Sequence, residues 1–229
     1  MRLISLIAAS CALLLAQPAA AQEWTEYVNR VDRFTVPAPG DPKVETMTWD
    51  SEYGARFPGR VYTWTQGRTR YSATVIDYSD AERIHAALNH VAYRGGPGYW
   101  TIDTMASIDY AATRYRQKPG VTVTYDAWNY IERVTGHQLQ LTNPDGTRSY
   151  VGIYLHENRL YILDATAPRN EPPPIIFQQS FGFLDADGKP VQYRSFYFNR
   201  LPAPQLGGGA GPPQYDPQGQ PPQQAQPAR

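Results

Sequence analysis

An α+β architecture, an antiparallel β-sheet of hairpins and a C-terminal meander packed with about three helices, follows from three features of the chain. The first is a three-strand meander. His137–Thr142 reads HQLQLT with alternating leucines, Asn143-Pro144-Asp145-Gly146 supplies turn chemistry, and Thr147–His156 and Arg159–Ala165 flank a second turn at Glu157-Asn158. The second is an early hairpin, Arg60–Gln66 and Thr69–Tyr78, joined at Gly67-Arg68. The third is helical periodicity after Ser79 and again around Ile108. Strand pairs kept apart from helices in this way define a sheet with helices packed on it.

Taken in order, Phe34-Thr35-Val36 alternates, and Pro37, Pro39, Gly40 and Pro42 are expected to forbid regular structure until Lys43–Thr48. In the second arm of the hairpin, Tyr71, Ala73 and Val75 share one face, and Ser72, Thr74 and Ile76 share the other. Ser79-Asp80-Ala81-Glu82 reads as a capping box. Ile84, Ala87, Leu88 and Val91 then fall on one helical face, which predicts a helix to about Arg94, ended by Gly95-Gly96-Pro97-Gly98. Ile108, Ala111, Ala112 and Tyr115 predict a second helix from about Ile102, stopped by Pro119-Gly120. Val121, Val123 and Tyr125 open a strand reaching about Val134. Within the meander, the period of two sets Val151, Ile153 and Leu155 toward the helices and Tyr150, Tyr154 and His156 on the opposite face. Asn170 is expected to cap a third helix with Phe177, Phe181 and Leu184 as its buried stripe. Asp185–Lys189 reads as a turn and Pro190–Phe198 as a final strand.

The first 21 residues read as a cleaved secretory signal peptide: Arg2, an apolar run from Leu3 to Ala16, and small residues at Ala19-Ala20-Ala21. A lipoprotein reading with Cys11 as acceptor would cut through the middle of that run. The expected location is therefore periplasmic or extracellular. Cys11 is the sole cysteine, so a chain starting at Gln22 has no disulfide, thiol chemistry or cysteine-bound zinc. The 21 basic and 21 acidic residues balance, and losing Arg2 leaves one unit of negative charge. That balance gives no electrostatic reason to expect nucleic acid. No later apolar run is long enough to span a bilayer. Residues 22–200 read as one globular domain, and residues 201–229 as a disordered Pro/Gln/Gly-rich tail that lacks the apolar surface to offset its ordering entropy.

The opening Phe34-Thr35-Val36-Pro37-Ala38-Pro39-Gly40-Asp41-Pro42 resembles the start of secreted bacterial PsbP-like proteins, as does the succession hairpin, helix, meander, helix, strand. Arg60-Val61-Tyr62, Val75-Ile76-Asp77-Tyr78, Gly136-His137-Gln138-Leu139 and His156-Glu157-Asn158-Arg159-Leu160-Tyr161 look like segments of an alphaproteobacterial family of secreted proteins. The broader resemblance implies a PsbP-like sandwich, an antiparallel sheet between helices, with a non-catalytic accessory role. It implies no particular functional residue.

Motifs for catalysis and cofactors are weak. His85 and His90 lie five apart and do not share a helix face as zinc ligands would. His156-Glu157 has no second histidine in register, and Asp185-Ala186-Asp187-Gly188 lacks the later glutamate of a calcium loop. There is no G-x-S-x-G, and Ser180 falls within the third expected helix. Asp77, Asp126, Glu132 and Asp164 lie on or beside strands, where structural pairing is the expectation. No catalytic residue, metal or cofactor is expected. Seventeen tyrosines and five tryptophans are the compositional outlier. They make Tyr62, Trp64, Tyr150, Tyr154 and His156 candidate ligand-binding positions, against the plainer reading that they pack a sheet beneath helices. Two functional classes follow: a non-enzymatic envelope protein binding a protein partner or small ligand, or a hydrolase assembled from sequence-distant acids or histidines.

Overall fold

The computed structural model describes residues 23–88 and 98–199. The expected signal peptide, the expected tail from Leu201 and the end of the first helix expected near Arg94 lie outside those residues. Ten strands and three helices follow one another as β1 (Trp24–Asn29), β2 (Phe34–Pro39), β3 (Lys43–Asp50), β4 (Arg56–Gln66), β5 (Thr69–Asp77), α1 (Ala81–Ala87), α2 (Tyr99–Arg116), β6 (Thr122–Ile131), β7 (Val134–Thr142), β8 (Arg148–His156), β9 (Arg159–Ala167), α3 (Ile175–Gln179) and β10 (Gly182–Phe183). The fold is α+β. Seven strands form one antiparallel sheet in the order β3-β4-β5-β9-β8-β7-β6, and β1, β2 and β10 form a smaller one.

Alternation along the central strands gives the large sheet two buried faces. Val151, Ile153 and Leu155 join Leu139, Leu141 and Leu160 against Ile108, Ala111 and Ala112 of α2. Tyr71, Ala73, Val75, Tyr154 and Leu163 point the other way, to Phe34 and Val36 of β2, Phe177 of α3 and Phe183 of β10. The small sheet with α3 forms one layer, and α1 and α2 form a separate layer on the opposite face. Ile153 is fully buried on the helical side. Ile153→Ala should cost about 3 kcal/mol, from lost transfer energy and the cavity left behind. A urea midpoint that does not move would place this side chain at an edge of the core.

The hairpins behave as their turns dictate. In the Asn143–Gly146 turn, Asn143 and Thr147 close the strands, Gly146 N–H donates to Asn143, and Gly146 takes φ 81°. Glu157 and Asn158 both have positive φ, the backbone of a tight two-residue hairpin turn.

Several expectations are corrected. The strand expected to run on to Val134 ends at Ile131, because Glu132 and Arg133 form another positive-φ turn and start a fourth meander strand. β2 continues through Pro37 and Pro39. β10 pairs only with Phe34 and Thr35, so those prolines lie on an open edge that needs no N–H. The helix start is not a capping box: Asp77 Oδ1 accepts the Ser79 amide, the N-cap is Asp80, and its carboxylate is held by Arg83. The buried face of α1 is Ala81 and His85, whereas Leu88 is exposed. α2 begins at Tyr99, three residues earlier than its spacing suggests, with Gly98 as N-cap. α3 is only five residues long. Each of Pro172, Pro173 and Pro174 holds its predecessor extended, so Asn170 is no cap, and Phe181 and Leu184 are buried beyond the helix. Residues 190–198 form no continuous strand. They touch the ladders through the isolated bridges Leu184–Pro190 and Val134–Tyr197, and strap the ends of two hairpins.

Candidate functional site

All five aromatic candidates are interior. The Tyr62 hydroxyl donates to Asp32 at 2.5 Å, and its ring meets Phe34 edge-on at 5.2 Å. The Trp64 indole donates to the Gly40 carbonyl at 2.9 Å. Tyr150 is buried on β8, and Tyr154 lies against Gly136 and Gly152. His156 sits among Phe183, Tyr193 and Tyr197. The aromatic face anticipated on β4 and β8 therefore exists, but the small sheet and residues 181–197 roof it over. These side chains pack layers together and offer no open stacking surface. Asp32 illustrates how: it also accepts from Arg60 at 2.7 Å, and its carbonyl accepts from Tyr161 at 2.9 Å, so one turn residue clamps the two sheets.

Three polar clusters invite a catalytic reading, and their geometry gives each a structural one. Ser51 and His85 both bond the same Asp103 oxygen, at 2.6 and 2.9 Å. A hydrolytic triad needs the histidine between serine and acid, so this arrangement cannot pass the serine proton to the ring. Asp103 is 1% exposed, and the cluster ties α1 and α2 to the β3–β4 connection. Asp126 is held by Arg116 at 2.6 and 3.0 Å and by His137, which pins β6 to the end of α2. The Arg116 hydrogen bond, aided by His137, holds the Asp126 carboxyl down at about 2. Asp164 accepts from Tyr115 at 3.1 Å and from Thr166 at 2.9 Å. Of the remaining carboxylates, Asp77 accepts the Ser79 amide and Asp185 accepts the Asp187 and Lys189 amides that close its turn.

Two surface clefts are larger than these clusters. One, about 370 Å³, lies at the β4–β5 turn beneath Pro172–Pro174, with Tyr71 and Phe177 at its base; its carboxylate, Glu171, already accepts from Thr69 and pairs with Arg68. The other, about 340 Å³, opens between α2 and the sheet and is walled by Trp49, Tyr115 and Ile162, with Arg114 and Lys118 at its rim. The buried stripe of α2 gives no pointer to this pair. The signal was present: Arg114 and Lys118 are spaced i, i+4 beside Tyr115.

The outer edge of the large sheet is different again. Among the described residues, β6 is a ten-residue edge strand that pairs only with β7. Trp128 and Tyr130 share one of its faces and are 60% and 58% exposed, and Phe196 stands edge-on to Tyr130 at 5.3 Å. Its one charged side chain, Asp126, is occupied by Arg116. The opposite edge, β3, carries Lys43 and Glu45 in an exposed ion pair, a common guard against strand addition. β6 has only a register shift between Val123 and Tyr125 for that purpose. Among the described residues, no helix is long and apolar enough to cross a membrane. Compared with protein-family models and with curated proteins, the chain gives no significant match to either.

Proposed function

We propose that the protein is an exported, non-enzymatic accessory protein of the bacterial envelope that binds a protein partner along β6. The observation that carries this reading is the exposed Trp128–Tyr130–Phe196 row on an edge strand with no free charge. Aromatic side chains with little rotamer entropy are the usual anchors of protein interfaces, and an open ladder offers main-chain hydrogen bonds to an extended partner segment. The occupant that fits is an extended, apolar segment of another protein. Export rests on the reading of residues 1–21, and the accessory role agrees with the PsbP-like resemblance of residues 34–42. The proline-rich tail then acts as a tether, since Pro-rich chain is extended and has little entropy to lose on docking.

A photo-crosslinking amino acid at Trp128 or Tyr130, in the full chain within the native envelope, should give a discrete adduct. The same group at Thr46 on β3 should give none. Deleting Leu206–Arg229 should reduce that adduct and leave the thermal midpoint unchanged. Equal adducts from both edges, or no adduct from β6, would remove the case for this surface. An adduct of twice the chain mass would make the partner a second copy instead. Intact mass of the exported protein tests the leader: it should begin at Gln22 without a lipid.

A further inference from the structure

On the helical face, far along the sheet order from β6, the cleft beside α2 gathers positive charge without matching carboxylates. The Arg114 guanidinium lies 4.5 Å from the Trp49 ring centroid and 5.9 Å from that of Tyr110. The Lys118 ammonium lies 3.8 Å from the Tyr115 centroid. Arg70 stands on the same face of β5 as the cleft residue Thr74, and its charge acts on both Tyr115 and Lys118. Among the described residues, none of these three cations forms a salt bridge, although Arg33, Arg56, Arg60, Arg68, Arg83 and Arg116 all do.

The acid bonded to the cleft wall through Tyr115 does not balance them. Asp164 is one charge against three, and its two oxygens already accept from Tyr115 and Thr166. Burial, with the charges of Arg70 and Arg114 added, draws the Lys118 ammonium below its ordinary range despite Asp164. The helix dipole accounts for basic residues near the end of α2, but not for Arg70, which comes from a strand. Nor does it require the two cations to fold over the rings that wall a cavity. Apart from the cations and Thr74, the lining is carried by apolar and aromatic side chains, with Met47, Ala111 and Ile162 beside the indole of Trp49. Cationic rim and flat apolar wall together describe an amphipathic anion: the wall takes an apolar body, and guanidinium and ammonium groups take a carboxylate head in charge-assisted hydrogen bonds.

We propose that the cleft between α2 and the β3–β5–β9 face binds a small organic carboxylate with a flat apolar body, for which Arg70, Arg114 and Lys118 are the counter-charge. The site is separate from the β6 edge and stands or falls independently of it.

The probe is 2-naphthoate, titrated calorimetrically into the full mature chain, with 2-naphthalenemethanol as its uncharged counterpart. Naphthoate should bind with a dissociation constant that weakens as salt is raised, and the alcohol should bind more weakly. The R114Q/K118Q double variant should weaken naphthoate binding by roughly tenfold or more, the scale of one lost charge-assisted contact. Arg70→Gln, an exposed site that disturbs no packing, should weaken it in the same direction, whereas R114K should retain it. A K43Q/R56Q variant removes as much positive charge elsewhere and should bind like the parent. Four outcomes would overturn the proposal: no binding up to roughly ten millimolar, equal binding of acid and alcohol, R114Q/K118Q and Arg70→Gln both binding like the parent, or K43Q/R56Q weakening binding as much as the cleft variants.

Discussion

Gly136→Val should destabilise the protein by about 4 kcal/mol, beyond the usual range for overpacking, because the obstruction includes backbone. A Cβ at Gly136 would stand 2.2 Å from Tyr154 Cδ1 and 2.3 Å from the Ile153 carbonyl oxygen. Gly136 and Tyr154 are direct partners in the β7–β8 ladder, so neither strand can retreat without breaking register. The tyrosine cannot swing far either, since it is wholly buried in the core beneath the small sheet. Gly152 offers a graded comparison. A Cβ there would meet Tyr154 Cε2 at 3.0 Å, side chain rather than backbone, so Gly152→Ala should cost less. Denaturant titration of the two variants checks the order. If Gly136→Val costs under about 1 kcal/mol, the ring and its strand have a second packing available.

The contrast between these glycines and those of the turns shows how much the chain declares about itself. Gly146 and Gly67 sit in turn dipeptides with positive φ and open space around them, and local chemistry alone located both turns. Gly136 has no such marker, because its requirement comes from a ring on the neighbouring strand. The same division runs through the fold. Alternation in residues 137–165 placed Ile153 and Tyr154 on opposite faces correctly, since a period of two leaves no choice. The turn at Glu132-Arg133 carries neither glycine nor asparagine. It is stabilised from a distance: Arg133 donates to the Tyr193 carbonyl at 2.9 Å and also bonds that of Arg194, and the Tyr197 amide donates back to the Arg133 carbonyl.

The candidate sites divide in the same way. Tyr62 and Trp64 were legible as sharing a face of one strand, and Tyr150, Tyr154 and His156 as sharing a face of another. Whether those faces were open depended on β1, β2 and β10: the prolines of β2 mask its strand character, and β10 is only two residues long. Asp103 is polar at a position that shares its helical face with Ser107 and Ala111, and that was a readable hint of a buried partner. Naming Ser51 and His85 as those partners needed the fold. The cleft cations needed it too, since Arg70 and Arg114 belong to different elements and act on the same groups, Tyr115 and Lys118, only because α2 packs across the sheet.

His156 should make the protein acid-sensitive well above the range in which carboxylates titrate. It is fully buried, and its Nε2 is 2.8 Å from the Tyr193 hydroxyl. A second N–H at Nδ1 would find no acceptor. Burial pushes the imidazole down from 6.5 to about 3, and the positive charges of Arg159 and Arg33 add to the shift. Between those two values the unfolded chain takes up a proton that the native protein refuses. Stability is therefore complete above pH 6.5, falls as the pH drops toward 3, and has no further loss from this group below that. At about 1.4 kcal/mol per pH unit, the full loss approaches about 5 kcal/mol, of which about 3 should be gone by pH 4. Asp126 acts in a separate window: its carboxyl lies at about 2 against an ordinary 3.8, so its contribution is present above 3.8 and is lost as the pH falls through 2. The interval from pH 6.5 to 4 thus isolates the histidine from this carboxylate. His156→Phe keeps an aromatic ring among Phe183, Tyr193 and Tyr197 while removing the titration. It forfeits the Tyr193 hydrogen bond, so the variant should be less stable than the parent at pH 7 by about 1 kcal/mol. Its stability should then fall less steeply with acid, and the two curves should cross between pH 6.5 and 4. Urea unfolding at half-unit steps across that interval measures both slopes. Parallel curves would mean that acid reaches His156 in the folded protein, and that residues 190–199 open to admit it.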